Sequence, residues 1–507
     1  MKRLSGILLP FLAVAAGLFL PSVHARGADE RLDSLGRLLE EYTRTLEAYG
    51  NAFKLQECGT IIGSFRDSAT RLYTARKLYR HYADSPLMGE EAVAVGLYDR
   101  WFSGEGALPF ESEESGMEAR LFVSSNRRSL IGMPAPSLVL ENPEGEEVTL
   151  TGISADGRLS VLYFYSPDCA VCKLYSKQLE VLLTSARDSL ELVAVYTGRD
   201  REAWQQYIRE RLSWGTGRVR ITHLWDPDGS SGMEMAYGVL STPRLFLTDR
   251  GGQIAGRRLE PASLQQLLDA LYEEAHYPYG EQTDVFAELL PPEQLTDEEV
   301  ENLAGHIRKT ALERGRPVLA RQMYGDLLYY LSRQDSEEGV TACDAFIRRH
   351  ILSGEMQWQG ENDSLCVVHL AEFLLSLHGK AAVGTKLPAV YALVEECVPA
   401  ARASKALRGK FRLDRLKKRC RLARREMTLL FYDPSCADCQ EQIRRAKALA
   451  EKDATGPAVF LIDVSACRDR LRPAEFRALM EAFDLSSLPY LIQCDARGVI
   501  TRRYFKL

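Results

Sequence analysis

The chain has 507 residues, a formal net charge of −6, 46% hydrophobic residues and 26% charged residues. This balance is globular, excludes a disordered or membrane-embedded chain, and allows about three or four domains. The acidic charge offers no footprint for nucleic acid, and the most basic stretch, Arg415 to Arg425, is expected to be a solvated helix face.

Lys2 and Arg3 precede an apolar run from Leu4 to Leu20, and Val23-His24-Ala25 offers small residues before a cut. This pattern predicts a signal peptide over 1–25. No cysteine follows the cut, which argues against a lipid anchor, and no later stretch is apolar for long enough to span a bilayer. The mature protein is therefore expected to be periplasmic, with no integral membrane segment.

Residues 26–131 are predicted to be helical, with Leu35, Leu38, Leu39, Tyr42, Leu46 and Tyr49 on one stripe. The period changes at Gly132-Met-Pro-Ala-Pro136. A hairpin is expected from Ser137–Leu140 and Glu147–Leu150 about the Asn142-Pro-Glu-Gly145 turn. Strands near 159–165, 190–196, 219–224 and 244–247 then alternate with helices, and a helix from Pro261 closes the segment. That alternation predicts an α/β sheet over 132–276 with both faces covered.

Residues 277–383 are again predicted to be helical, and 384–507 repeat the earlier α/β landmarks. Gly384-Thr-Lys-Leu-Pro388 echoes Gly132–Pro136, and Leu429-Leu-Phe-Tyr-Asp-Pro-Ser-Cys436 echoes Leu162-Tyr-Phe-Tyr-Ser-Pro-Asp-Cys169. Leu485-Ser-Ser-Leu-Pro489 likewise echoes Leu240-Ser-Thr-Pro243. The expected architecture is a tandem duplication of a helical domain followed by an α/β domain. The second α/β part is shorter: the helical insertion near Trp204 to Gly217 has no counterpart, and no residues remain for a closing helix, so one sheet face needs other cover.

Four of the 11 cysteines form two Cys-x-x-Cys motifs, Cys169/Cys172 and Cys436/Cys439. Where a strand runs into a helix, the first sulfur sits among unpaired backbone N–H groups that favour an anion. Cys169 and Cys436 are thus the expected nucleophiles, and Cys172 and Cys439, one turn on, the resolving thiols. The two pairs lie too far apart in sequence to make one zinc site, and no metal or organic cofactor is indicated. Buried, inert thiols are expected for Cys58 and Cys494, and structural roles for His223 and His276.

These segments, with the later Thr242-Pro243 and Leu488-Pro489, resemble the thioredoxin fold of exported TlpA-like and ResA-like proteins. The helical region before the first pair, with Asp84-Ser-Pro-Leu-Met88, resembles Bacteroidota envelope proteins that join a helical domain of unknown function to a thioredoxin-like domain. The resemblance implies that Pro243 and Pro489 are cis and face the cysteines. It also implies that Thr242 and Leu488 present backbone groups to a substrate chain. The implied activity is thiol–disulfide exchange on exported proteins, served by an unidentified electron donor. Two departures stand out: Tyr163 and Leu430 replace the acidic residue buried beneath the pair in thioredoxins proper, and Asp168 and Ser435 replace the usual aromatic residue. Asp168 and Asp438 beside the pairs should oppose thiolate formation and favour a reductase. The alternative is a non-catalytic envelope scaffold with structural thioredoxin-like domains.

Overall fold

A computed structural model describes residues 28–507 apart from 155, 335, 359, 399–405, 419, 421–424 and 453–455. The expected signal peptide, and part of the basic stretch after Arg415, lie outside the described residues. The chain divides into two compact units, 1–274 with 311–316 and 275–310 with 317–507.

The first unit begins with five helices: α1 (Ala28–Leu46), α2 (Asn51–Ser64), α3 (Ser68–Ala83), α4 (Glu91–Trp101) and α5 (Glu113–Asn126). Of the α1 stripe, Leu35, Leu39, Tyr42 and Leu46 are buried, and they pack with Cys58, Ile62, Leu78 and Leu97 from the next three helices. The sheet that follows contains β1 (Leu138–Glu141), β2 (Glu147–Leu150), β3 (Leu159–Tyr165), β4 (Leu190–Tyr196), β5 (Val219–Trp225), β6 (Arg244–Thr248) and β7 (Ile254–Arg257). Their order is β2-β1-β5-β4-β3-β6-β7; β3, β4 and β5 run parallel, and β6 and β7 are antiparallel. Every residue of β3 and β4 is buried. That pattern requires cover on both faces. One face packs on α6 (Ala170–Ser185), α7 (Arg201–Arg211) and α9 (Pro261–Ala275), the other on α8 (Met233–Ala236).

The second unit's helices include α10 (Thr283–Leu289), α11 (Asp297–Glu313), α12 (Pro317–Leu331), α13 (Glu337–Phe346) and α14 (His369–His378). Its six strands are β8 (Tyr391–Cys397), β9 (Arg408–Arg412), β10 (Met427–Tyr432), β11 (Ala458–Asp463), β12 (Tyr490–Cys494) and β13 (Ile500–Arg503), in the order β13-β12-β10-β11-β8-β9. The helix α15 (Ala437–Lys452) joins β10 to β11, and α16 (Val464–Arg470) and α17 (Pro473–Ala482) lead to β12.

Two expectations need correction here. The segment before β12 does hold helices, α16 and α17; what it lacks is a strand. The β8–β9 hairpin fills the vacant edge, with β8 antiparallel to β11 where β5 is parallel to β4. The missing closing helix is also replaced, because Phe505 and Leu507 pack onto Leu430, Ile443 and Leu461, and Leu507 N–H donates to Gln442 Oε1 at 2.8 Å.

The sequence echoes do the same work in both units. Gly132 and Gly384 take left-handed φ values of 82° and 85°, which favour glycine. Each donates its N–H to the last strand at 2.8 Å, to Ile254 and Ile500 respectively.

His223 on β5 departs from the satisfied role expected of it: its Nδ1 is buried without a hydrogen-bond partner. Burial lowers its pKa from 6.5 to about 4. Below pH 6.5 the unfolded chain gains a proton that the folded chain refuses, so stability falls as pH drops from 6.5 towards 4, by at most about 3 kcal/mol. Urea midpoints compared across that range should show a smaller loss for His223→Gln than for the wild type; equal losses would remove His223 as the cause.

Candidate functional site

Cys169 ends the β3–α6 turn as the N-cap of α6, with extended backbone at φ −78° and ψ 114°. Its Sγ accepts the Cys172 N–H at 3.1 Å and lies 3.5 Å from the carbonyl oxygen of Thr242. The Thr242-Pro243 peptide is cis, as the resemblance implies. The structure therefore gathers Cys169, Cys172, Thr242 and Pro243 at one end of the sheet, where β3 and β6 lie side by side.

Cys169 is partly exposed and Cys172 fully buried. Burial opposes ionisation of Cys169, but hydrogen bonds from Cys172 outweigh it and hold the thiol below its ordinary value. Burial pushes Cys172 up to about 11. This asymmetry places the more readily ionised thiol at Cys169 and the less readily ionised one at Cys172. The Cys169 thiol is thus lowered by hydrogen bonding even though Asp168 adjoins it in the chain.

Tyr163 occupies the place of the buried acid. Its hydroxyl donates to the Cys172 carbonyl at 2.8 Å and lies 3.2 Å from Ser176 Oγ, which lies 2.9 Å from the Tyr207 hydroxyl. A buried hydroxyl chain thus underlies the first pair. Sequence reasoning missed Ser176 and Tyr207. Ser176 was accessible from helical spacing, because Cys172, Ser176, Leu179 and Leu183 share the buried face of α6. Tyr207 arrives from α7, and no local pattern marks it.

The second constellation has the same plan. Cys436 Sγ accepts the Cys439 N–H at 3.1 Å and lies 3.7 Å from the Leu488 carbonyl oxygen, and Leu488-Pro489 is cis. Burial raises Cys439 to about 12. Beneath this pair the chemistry differs, because Leu430 is fully buried in an apolar cluster. Asp433 accepts from the Ser435 N–H and hydroxyl and from the Ser465 hydroxyl, which hold its carboxyl down at about 2. A cavity of about 430 Å³ borders Leu488 and Pro489, with Asp438, Gln442 and Ser486 in its wall.

None of the 11 cysteines is joined in a disulfide in this structure. Cys58, Cys343, Cys420, Cys467 and Cys494 are buried, with Cys366 and Cys397 half-buried. Burial raises Cys58 and Cys494 to about 12, the inert state expected of them. Among the described residues no helix is long and apolar enough to cross a membrane.

A family model described as thioredoxin-like matches residues 157–254. The chain is similar to the structure of a thiol-disulfide oxidoreductase from Bacteroides fragilis, at 26% identity over 27% of this chain and 98% of that one, with a TM-score of 0.24. It is similar at 16% identity to a thioredoxin-like protein from Bacteroides caccae, over 47% of this chain and 84% of that one, with a TM-score of 0.35. A putative thiol:disulfide interchange protein DsbE from Chlorobium tepidum is 23% identical over 28% of this chain and 97% of that one, with a TM-score of 0.23. No curated protein matches the chain. The family match spans β3 through the start of β7 and encloses both the Cys169–Cys172 pair and Thr242-Pro243: residues 157–254 form a thioredoxin-like domain.

Proposed function

We propose that the protein is an exported thiol–disulfide oxidoreductase acting on protein disulfides, with two thioredoxin-like domains, 132–276 and 384–507. Each follows a helical domain, 26–131 and 277–383, and residues 1–25 direct export to the periplasm. The observation that carries the reading is the Cys169 sulfur, held at the N-terminus of α6 against the Cys172 N–H and 3.5 Å from the Thr242 carbonyl oxygen.

In the proposed reaction the Cys169 thiolate attacks one sulfur of a substrate disulfide. A mixed disulfide forms, and the other substrate sulfur leaves as a thiolate. Cys172 then attacks Sγ of Cys169 and releases the second substrate thiol, and the departing thiolates take up the Cys172 proton and one from solvent. The substrate gains two electrons and the Cys169–Cys172 pair becomes a disulfide, to be re-reduced by an external dithiol donor. Thr242 and Pro243, with Leu488 and Pro489 in the second domain, would present backbone groups to the substrate chain. Cys436 and Cys439 would repeat the exchange.

The reductive direction rests on Asp168 and Asp438 beside the pairs. The lowered Cys169 thiol counts against it in the first domain, because a stabilised thiolate favours the reduced form. Redox titration of each pair against glutathione separates the two directions.

Trapping tests the mechanism. Cys172→Ser should accumulate a mixed disulfide with a disulfide-bonded substrate such as insulin, and peptide mapping should place it at Cys169. In the fully reduced wild type, Cys169 should be alkylated before Cys172. No adduct in the variant, together with equal labelling of the two thiols, would overturn the reading.

A further inference from the structure

The last strand of each sheet ends in a buried arginine at the same register. Arg257 stands opposite Phe246 and Arg503 opposite Ile492, and the following residues, Arg258 and Tyr504, have left-handed φ values of 52° and 50°. Both side chains reach the end of the last helix before the sheet. Arg257 donates to the Asn126 side-chain oxygen at 2.6 Å, and Arg503 to the carbonyls of His378 and Lys380.

The two differ at Nε. Arg503 Nε donates to the Glu337 carboxylate at 3.0 and 3.3 Å. Arg257 is 1% exposed, yet its Nε has no hydrogen-bond partner. Its nearest carboxylate oxygen, Glu91 Oε1, is 4.0 Å away and already accepts from Arg258 at 3.2 Å. A cavity of about 300 Å³ lies beside these groups, and Arg244, Arg257 and Arg258 line it.

Arg244 adds a second unsatisfied donor: among the described residues its Nε is buried without a partner, and its guanidinium makes one long hydrogen bond, of 3.5 Å, to Ser241. The corresponding residues in the second unit are Tyr490, which follows Pro489, and Tyr504. Their rings lie 5.0 Å apart, and the Tyr504 hydroxyl donates to Asp484 at 2.8 Å. The first unit has therefore three guanidinium groups in the cavity wall, of which Arg257 and Arg258 lie against Glu91, and an exposed Glu118 in the same wall. Buried unpaired donors of this kind are costly, and a guanidinium fork matches a carboxylate in two parallel hydrogen bonds. Leu121, Phe122, Leu240 and Phe246 give the wall an apolar side, next to Ser125 and Asn126.

We infer that the cavity between α5 and the β6–β7 edge binds an organic carboxylate, with the charged end on Arg244 and Arg257 and an apolar body against Phe122 and Phe246. Leu240 and Arg244 bracket Thr242-Pro243 in sequence, so the ligand would sit at the foot of the loop that carries the cis-proline. The carboxylate can belong to an acidic side chain of a bound polypeptide or to a free small molecule.

Calorimetry on the oxidised full chain tests this apart from any redox activity. The probes are 3-phenylpropionate, its uncharged counterpart 3-phenylpropanol, inorganic phosphate, and a short peptide carrying one glutamate beside a phenylalanine. Saturable binding of phenylpropionate is expected below about 10 mM, with phenylpropanol silent. Arg244→Gln should weaken it about tenfold or more, as should Arg258→Gln, whose side chain is partly exposed. Both variants are to be checked for wild-type cooperative unfolding. Tighter binding of the peptide than of phenylpropionate would assign the site to a polypeptide side chain, and the reverse to a free carboxylate. No saturable binding, equal binding of phenylpropanol or phosphate, or unchanged affinity in both variants would overturn the inference.

Discussion

Cys169→Ser is expected to remove most of the insulin-reducing activity of the full chain, lowering turnover at the first site by at least about 10³-fold, or roughly 4 kcal/mol of barrier. Serine keeps the helix cap but loses the thiolate, the species that attacks. Cys436→Ser should cost less. The first pair has a thiol held below its ordinary value and a hydroxyl chain from Tyr163 through Ser176 to Tyr207 beneath it. The second pair stands over buried Leu430, and Cys439 is raised to about 12 with Asp433 nearby. Its resolving thiol therefore has no hydroxyl at the Tyr163 position to assist the loss of its proton. Initial rates with a dithiol donor, for the two single variants and the double variant, decide the matter. A Cys169→Ser protein that keeps most of the wild-type rate would place the working site at Cys436. A double variant as active as the wild type would end the catalytic reading altogether.

Much of this arrangement was legible in the residues because each unit repeats a local rule. The runs Leu159–Tyr165 and Met427–Tyr432 are apolar but for Ser160 and Thr428, as suits a strand buried on both faces, and each leads into Cys-x-x-Cys. The Gly132–Pro136 and Gly384–Pro388 echoes likewise mark one backbone connection to the final strand. What stayed hidden depends on partners remote in sequence. Tyr391–Cys397 carries Glu395 and Glu396 and alternates poorly, so its strand is defined by its partners β11 and β9 rather than by its own pattern. The hydrogen bonds that Cys172 gives to Cys169 also stayed hidden, because neighbours along the chain say nothing of them. Nothing local marks the arginines at 257 and 503, which end short strands and are turned inward by tertiary packing.

That burial sets the second large effect. Arg503→Met should destabilise the second unit by about 3–5 kcal/mol, the usual range for removing one partner of a buried ion pair. The guanidinium satisfies Glu337 and the carbonyls of His378 and Lys380 at once, joining α13 and the end of α14 to β13. Burial already raises the Glu337 carboxyl against the pull of Arg503, so without the arginine it would be protonated or left as an uncompensated charge. Adding Glu337→Leu to Arg503→Met should recover much of the loss, because an apolar pair of similar volume commonly equals a buried salt bridge. Arg257→Met in the first unit should cost less, since its Nε gives up no hydrogen bond. Thermal and urea unfolding of the three variants reads these differences directly. If Arg257→Met proved the more damaging, Arg257 would be held by stronger partners than Asn126 and Glu91, and the unsatisfied Nε could no longer be taken as the vacancy that an incoming carboxylate fills.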